Sequence, residues 1–282
     1  MSAITVRDLR KSYGALEAVR GISFEVERGE VFGLLGPNGA GKTTTVEILE
    51  GYRKRDGGSV EVLGADPATA GGSWREHIGV VLQSSAMYET LTVAEMLSLF
   101  AGYYERSRPV DEVVELIGLR DQRDQRVRRL SGGQRRRLDL GLALVGDPEL
   151  IFLDEPTTGF DPHARRQAWE TLRSLRSLGK TIVLTTHYLD EAEQLADRVA
   201  VLRKGEIVAV GQPAELIGAT PATEIRYREN GREVTLETDS PTRVLNELTA
   251  KALAENRELE GLIVRRPSLE EVYLTLTEEE AK

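Results

Sequence analysis

The stretch VFGLLGPNGAGKTT, residues 31–44, decides how the rest of the chain is read. Val31 to Leu35 is a short apolar run without a polar break, the mark of a strand buried on both faces, as in a parallel sheet. Gly36 to Thr43 then fits G-x-x-x-x-G-K-[ST], and KTTTVEILEG opens a helix. Glycines let successive N–H groups curl around an anion, and the helix N-terminus adds positive potential. Gly36, Pro37, Asn38, Gly39, Ala40, Gly41, Lys42, Thr43 and Thr44 are therefore candidate phosphate-binding positions. Lys42 is expected to reach the β- and γ-phosphates, and Thr43 to ligate Mg²⁺.

Further strands follow the same logic. IGVVL (78–82), LIFL (150–153) and TIVLTT (181–186) are also continuous apolar runs, and helical patterns separate them. The core is accordingly α/β with a parallel sheet. GISFEVERGE instead alternates Ile22, Phe24 and Val26 with polar residues, as a half-buried strand does. LIFL ends in Asp154 and Glu155, at the strand tip where ligands sit in such sheets. Asp154 is placed to join the Mg²⁺ shell, and Glu155 to take a proton from an attacking water. His187 closes TIVLTTH and can hydrogen-bond the γ-phosphate or the water. Gln83 closes IGVVLQ and can touch Mg²⁺ or water.

A second stretch, LSGGQRRRLDL (130–140), looks like another anion loop. Ser131 and Gln134 form a capping box. Capping leaves Gly132 and Gly133 unexplained, because each glycine in a first turn costs about 1 kcal/mol relative to alanine. Paired glycines there allow close approach of something, and exposed N–H groups make that something an anion. Arg120, Arg123, Arg126, Arg128, Arg129, Arg135, Arg136 and Arg137 crowd the same region; a solvated helix face accounts for most of them.

Thr92 and Glu95 form a second capping box, ahead of a helix to about Tyr104. Val110, Val113, Val114 and Ile117 mark another helix, closed by Gly118. Residues 86–145 read as a helical insertion. Asp161-Pro162 starts a helix that buries Ala168, Leu172 and Leu175 and stops at Gly179. After residue 218 the pattern changes. EIRYRENGREVTLET places Asn230-Gly231 between alternating segments, a hairpin signal. A helix from Pro241 to about Ala254, a strand near 259–264 and a last helix from Ser268 complete a small α+β appendage. The expected organisation is 1–218 and 219–282.

The 282 residues are 40% hydrophobic and 29% charged, with net charge -9 and no cysteine. That excludes a disulfide framework and a thiolate metal site. The acidic balance argues against a nucleic-acid partner. No apolar run approaches the roughly 18 residues of a membrane span, and the N-terminus lacks a hydrophobic signal core. By itself the chain is expected to be soluble and to stay where it is made.

GPNGAGKTT, LSGGQ, LIFLDEP, TTGFDP and His187, in this order, resemble the nucleotide-binding domain of ABC transporters over residues 3–218. The resemblance implies a P-loop NTPase fold with an antiparallel β region, ATP and Mg²⁺ as ligands, and ATP hydrolysis. It implies that two domains pair head to tail, so that Ser131 and Gly133, with Gly132 and Gln134, close over ATP held by the other's phosphate loop. The partners are then a second ATPase subunit, a homodimer or a different cassette, and a transmembrane permease. Tyr13 in LRKSYG resembles the aromatic that stacks on adenine. Gln83 matches the loop that senses nucleotide and meets the permease, docked around Gln83 to Tyr104. Asp161 matches the segment linking the two sites. Thr158 and Phe160 stand where serine and leucine are commoner, which bears on that link. LTVAEMLSLFAGYYE and RPSLEEVYLTLT further resemble bacterial drug-exporter ATPases of the daunorubicin-resistance type. The resemblance places the chain on the cytoplasmic face of the membrane.

Two other readings fit the same motifs. One is a non-transport ABC ATPase acting on ribosomes or DNA; the paired cassettes or long coiled coil of such members are absent. The other is a nucleotide-dependent regulator without hydrolysis, which would be expected to lack Glu155 or His187.

Overall fold

Uninterrupted apolar runs become the buried strands of one sheet, and alternating ones become strands with a wet face. The computed structural model describes residues 2–81, 87–218, 223–229, 231–265 and 273. The chain divides into two units, Met1–Val210 and Gly211–Lys282. This boundary precedes the one placed at residue 218.

The first unit runs β1 (Ser2–Tyr13), β2 (Leu16–Glu27), β3 (Val31–Leu35), α1 (Lys42–Leu49), β4 (Gly57–Val62), α2 (Gly72–Arg75), β5 (Ile78–Val81), α3 (Val93–Ala101), α4 (Val110–Leu116), α5 (Gly132–Leu144), β6 (Leu150–Asp154), α6 (Pro162–Ser177), β7 (Thr181–Thr186), α7 (Leu189–Leu195), β8 (Arg198–Arg203) and β9 (Glu206–Gly211). Six strands form a sheet in the order β5-β6-β7-β3-β8-β9, and β2-β1-β4 form a separate antiparallel sheet. The pairs β5–β6, β6–β7, β7–β3 and β3–β8 are parallel.

Period two divides the core. Ile151 and Leu153 pack with the helices of the insertion and with α6. Leu150 and Phe152 pack on the opposite side with β1, β2, β4 and α1. Phe24 of β2 stacks on Phe32 of β3 with ring centroids 5.3 Å apart, tying the two sheets together. Each such fully buried ring contributes roughly 1.5–3 kcal/mol.

The insertion holds α3, α4, two 3-10 turns and α5 among its described residues. Both capping boxes form, Thr92 with Glu95 and Ser131 with Gln134. Helix α3 stops at Ala101, short of Tyr104. Asp161 accepts from the Ala164 N–H at 2.9 Å to start α6; Leu172 and Leu175 are buried, whereas Ala168 is only half-buried.

The second unit contains α8 (Pro213–Gly218), β10 (Thr223–Glu229), β11 (Arg232–Thr238), α9 (Pro241–Ala254) and β12 (Glu260–Arg265). Strands β10 and β11 pair antiparallel with Glu229 opposite Arg232, a two-residue hairpin connection. The helix expected from Ser268 lies outside the described residues, apart from Tyr273.

Strands β1, β4, β8 and β9 escape a pattern reading. In β1 the cause is visible. The pairing with β2 is irregular between Val6 and Leu9, and Asp8 there has φ 47°. Such a bulge shifts the inward positions by one and breaks the alternation. At the other edge of the unit, Gly79 of β5 lies against α5: a Cβ there would stand 2.5 Å from the Ala143 carbonyl oxygen. Because that neighbour is backbone, Gly79→Ala should lower stability by about 1–3 kcal/mol, read from the denaturant midpoint. An unchanged midpoint would mean that the helix steps back at no cost.

Candidate active site

Strand register gathers the site. Leu35 lies opposite Thr186, and Asp154 opposite Thr185. The segments leaving β3, β6 and β7 therefore emerge side by side at the carboxyl edge of the sheet. Gly36, Asp154, Glu155 and His187 are the residues so placed.

The glycines of the phosphate loop have different reasons. A Cβ on Gly36 would meet the Leu202 carbonyl oxygen at 2.4 Å, and one on Gly41, at φ 103°, the Ala18 oxygen at 2.5 Å. Neighbouring backbone demands both. Ala40 is buried in the core, and its N–H donates to the Pro37 carbonyl at 3.2 Å. Gly36, Pro37 and Ala40 thus shape the loop. Tyr13, Asn38, Gly39, Gly41, Lys42, Thr43, Thr44 and Glu155 line a cavity of about 430 Å³. The Tyr13 ring keeps its edge near Thr44, with the two hydroxyls 3.5 Å apart.

Lys42 is the electrostatic centre. Its side chain is only 5% exposed, and Nζ lies 3.8 Å from Glu155 Oε1. Nζ donates to the carbonyls of Gly36 at 2.8 Å and Pro37 at 3.2 Å. Burial holds this ammonium below the ordinary lysine range, against the opposing pull of Glu155 and Asp154. A desolvated cation facing a cavity favours an entering anion.

Asp154 is buried, and its Oδ1 accepts from the Thr185 hydroxyl. The same hydroxyl accepts from the Glu155 N–H at 3.0 Å. Asp154 and the cavity-lining Thr43 offer oxygen donors only, which suit a hard cation. Among the described residues no cluster of three His, Cys, Asp or Glu stands ready to hold a metal. Two hard oxygen donors suit Mg²⁺, an ion that is usually held by only one or two protein oxygens. Gln83 lies outside the described residues.

Glu155 occupies the left-handed region at φ 47°, which costs a non-glycine residue about 1–2 kcal/mol. Its carboxylate is held from two sides. Oε1 is 3.2 Å from His187 Nδ1, and Oε2 accepts from the Thr158 hydroxyl at 3.1 Å. The His187 ring lies against Tyr188, with centroids 4.1 Å apart. Thr185 is not legible from the sequence, and Thr158, which stands out there only as a departure from serine, holds the Glu155 carboxylate instead. The usable signal was a hydroxyl three residues beyond a strand-end carboxylate, which serine or threonine supplies equally well.

A second cavity, of about 660 Å³, is lined by Ser131, Gly132, Gly133, Gln134, Asp161, Thr158 and again Glu155, among others. Ser131 Oγ accepts from the Gln134 N–H at 3.3 Å, and Gln134 Oε1 accepts from the Ser131 N–H at 2.8 Å. A Cβ on Gly132 would meet nothing within 4 Å, and one on Gly133 only the Ala164 methyl at 3.6 Å. Packing among the described residues requires neither glycine.

Most of the arginine run is at the surface, as expected, and Arg136 and Arg137 are the exceptions. Arg123 pairs with Asp111 and Asp124, and Arg135 with Glu89, at the surface. Arg137 donates to the Gly118 carbonyl at 2.9 Å. Arg136 points inward to the turn after β6, because the start of α5 lies over that turn.

Glu50 ends α1. Burial first, then the charges of Asp154 and Glu47, push its carboxyl from the ordinary 4.5 up to about 8. A carboxyl raised on folding supports the fold fully below its unfolded value, and that support is lost as pH rises through the folded value. Between about pH 4.5 and 8 the chain should therefore lose stability. Glu50→Gln should melt higher than the parent near pH 8, with the gap closing toward pH 4.5. Parallel melting curves across that window would contradict the assignment.

The family described as ABC transporter matches residues 19–158. The Nod factor export ATP-binding protein I of Rhizobium sp. (strain N33) is 40% identical over 300 residues, covering 98% of this chain and 97% of that protein. The daunorubicin resistance ATP-binding protein DrrA3 of Streptomyces coeruleorubidus is 41% identical over 303 residues, covering 98% and 96%. A solved ATP-binding subunit of an ABC transporter superposes with a TM-score of 0.72 at 25% identity, covering 98% of this chain and 100% of that one. With both glycine loops and the strand-end acids in place, and relatives aligned along nearly its whole length, the chain belongs to the ATP-binding proteins of ABC transporters.

Proposed function

We propose that the chain hydrolyses ATP as one half of a head-to-tail dimer, and that closing and opening of this dimer power export through a separate membrane-spanning partner. The observation that carries the reading is the open space before Gly132. A glycine pair at the start of a helix weakens it, and no contact among the described residues explains the pair. A phosphate brought by a second copy does.

Lys42 binds the β- and γ-phosphates of ATP, and the loop amides around Asn38 and Gly39 cradle them. Thr43 and Asp154 would hold Mg²⁺, which would supply charge neutralisation at the phosphates. Glu155 takes the proton from the attacking water. His187, already beside Glu155 Oε1, orients that carboxylate and hydrogen-bonds the γ-phosphate. Tyr13 stacks on the adenine. From the second copy, Ser131 and the Gly133 N–H complete the γ-phosphate shell, and Asp161 lies where one site reports to the other. Catalysis is mostly positioning and charge stabilisation, as in other phosphoryl transfers. Loss of the bridging γ-phosphate removes the affinity that favours the closed state.

Export rests on the two relatives, whose names specify Nod factor export and daunorubicin resistance. Among the described residues no helix is long and apolar enough to cross a membrane, so the pathway belongs to a permease. Tyr88, Leu99 and Tyr103 are exposed apolar side chains on and beside α3 that are available to that permease. The subunit then sits on the cytoplasmic side of the membrane.

Glu155→Gln should slow phosphate release ~10²–10⁴-fold while an ATP-bound dimer accumulates on gel filtration; wild-type turnover would contradict the role. Adding Ser131→Arg to that variant should abolish the dimer yet leave ATP binding by the monomer. A dimer that persists would argue against completion of the site by a second copy.

A further inference from the structure

The three arginines after Gln134 differ in what they touch. Arg136 has a side chain only 14% exposed. Its Nη2 donates to the Asp154 carbonyl at 3.0 Å and the Glu155 carbonyl at 3.4 Å, and its Nε to the Pro156 carbonyl at 3.2 Å. One guanidinium thus spans three successive carbonyls of the turn that carries the strand-end acids. That turn is strained, since Glu155 sits at φ 47°, and a residue in that region persists only when its surroundings hold it there. On the amide side, Glu155 is held by Thr185, whose hydroxyl and carbonyl accept from its N–H at 3.0 and 3.2 Å. On the carbonyl side, Arg136 does the holding. Burial depresses its pKa from the ordinary arginine value, while Asp139, Asp154 and Glu191 oppose that shift.

The position of Arg136 along α5 gives the clamp a second meaning. Ser131 caps this helix, and Arg136 stands little more than a turn later on the same rigid element. A helix rises about 1.5 Å per residue, so the two ends of this piece are roughly 7–8 Å apart. Whatever displaces the first turn of α5 must also move the guanidinium, and with it the backbone of Asp154 and Glu155.

We propose that Arg136 is a positioning residue that couples the two half-sites of one subunit: engagement of Ser131 with the phosphate held by a second copy is transmitted through α5 and the Arg136 clamp to the backbone that aims Glu155 at the subunit's own phosphate. This coupling rests on the head-to-tail dimer proposed above. It makes each subunit's catalytic carboxylate responsive to whether its neighbour holds ATP. The physical route is a contiguous hydrogen-bonded chain, Ser131–α5–Arg136–Glu155, rather than proximity alone. Lysine is no substitute, because a single ammonium lacks the fork that bridges several carbonyls at once.

The test uses the full chain with Arg136→Gln and Arg136→Lys, each made alone and with Glu155→Gln. Single variants are assayed for kcat and KM of phosphate release, and double variants for ATP-dependent dimerisation. Misaiming the carboxylate by a fraction of an ångström to 1 Å should lower kcat up to ~10²-fold in both single variants. KM should stay within about threefold, and both double variants should still dimerise with ATP. A structural role in holding the Ser131–Gln134 turn would instead lower dimerisation and kcat together, and that result would overturn the proposal. So would a kcat within about threefold of the parent in either folded variant. Should the glutamine form unfold, the lysine form decides by the same criteria. Failure of Glu155→Gln alone to dimerise with ATP would remove the dimer reading itself, and the coupling with it. An intact Glu155→Gln dimer beside undiminished turnover in the Arg136 variants would remove the coupling only.

Discussion

A buried ammonium is the constraint around which the site is organised. Lys42 is drawn under its own loop and donates to two loop carbonyls, with its nearest described carboxylate at 3.8 Å. Taking such a charge out of water costs several kcal/mol unless partners compensate it. Two carbonyl oxygens and a distant carboxylate compensate only partly, which is why burial still pulls the ammonium down. Under the proposed function, the polyphosphate of ATP supplies what is lacking. The six-stranded sheet, the register that sets Leu35 beside Thr186 and Asp154 beside Thr185, and the close backbone contacts at Gly36 and Gly41 all hold this lysine at the carboxyl edge of the sheet.

Glu155 lies at the boundary between two cavities, the one facing Lys42 and the one facing Ser131. Its carboxylate is held by His187 and Thr158, and its backbone by Thr185 and Arg136. Four side chains thus converge on one strained residue. Strain of this kind is tolerated where the surroundings over-determine it, and a pre-aimed carboxylate need not reorganise when a water arrives. The exposed first turn of α5 gives the same residue a reason to sense a neighbour.

Much of this was legible from sequence because it is local. Continuous apolar runs became β3, β5, β6 and β7, and the chemistry-bearing residues follow those strands directly. Capping boxes and the Asn230-Gly231 hairpin are also contained within a few residues. What escaped is long-range or irregular. The alternation in β1 is broken by a bulge at Asp8. Arg136 reads as one of eight surface arginines until the fold brings Asp154 to it from 18 positions away. Thr185 is an unremarked hydroxyl inside a strand until β7 pairs with β6. Glu50 looks like an ordinary helix-end acid, and only burial near Asp154 makes it a weak one.

The most direct measurement is the structure of the full chain with Mg²⁺ and a non-hydrolysable ATP analogue. The result expected is a two-fold pair in which Ser131 Oγ of one copy lies about 3 Å from the γ-phosphate bound to Lys42 of the other. A nucleotide fully occupied on Lys42, with Ser131 of every copy facing solvent, would contradict the half-site at the centre of this mechanism.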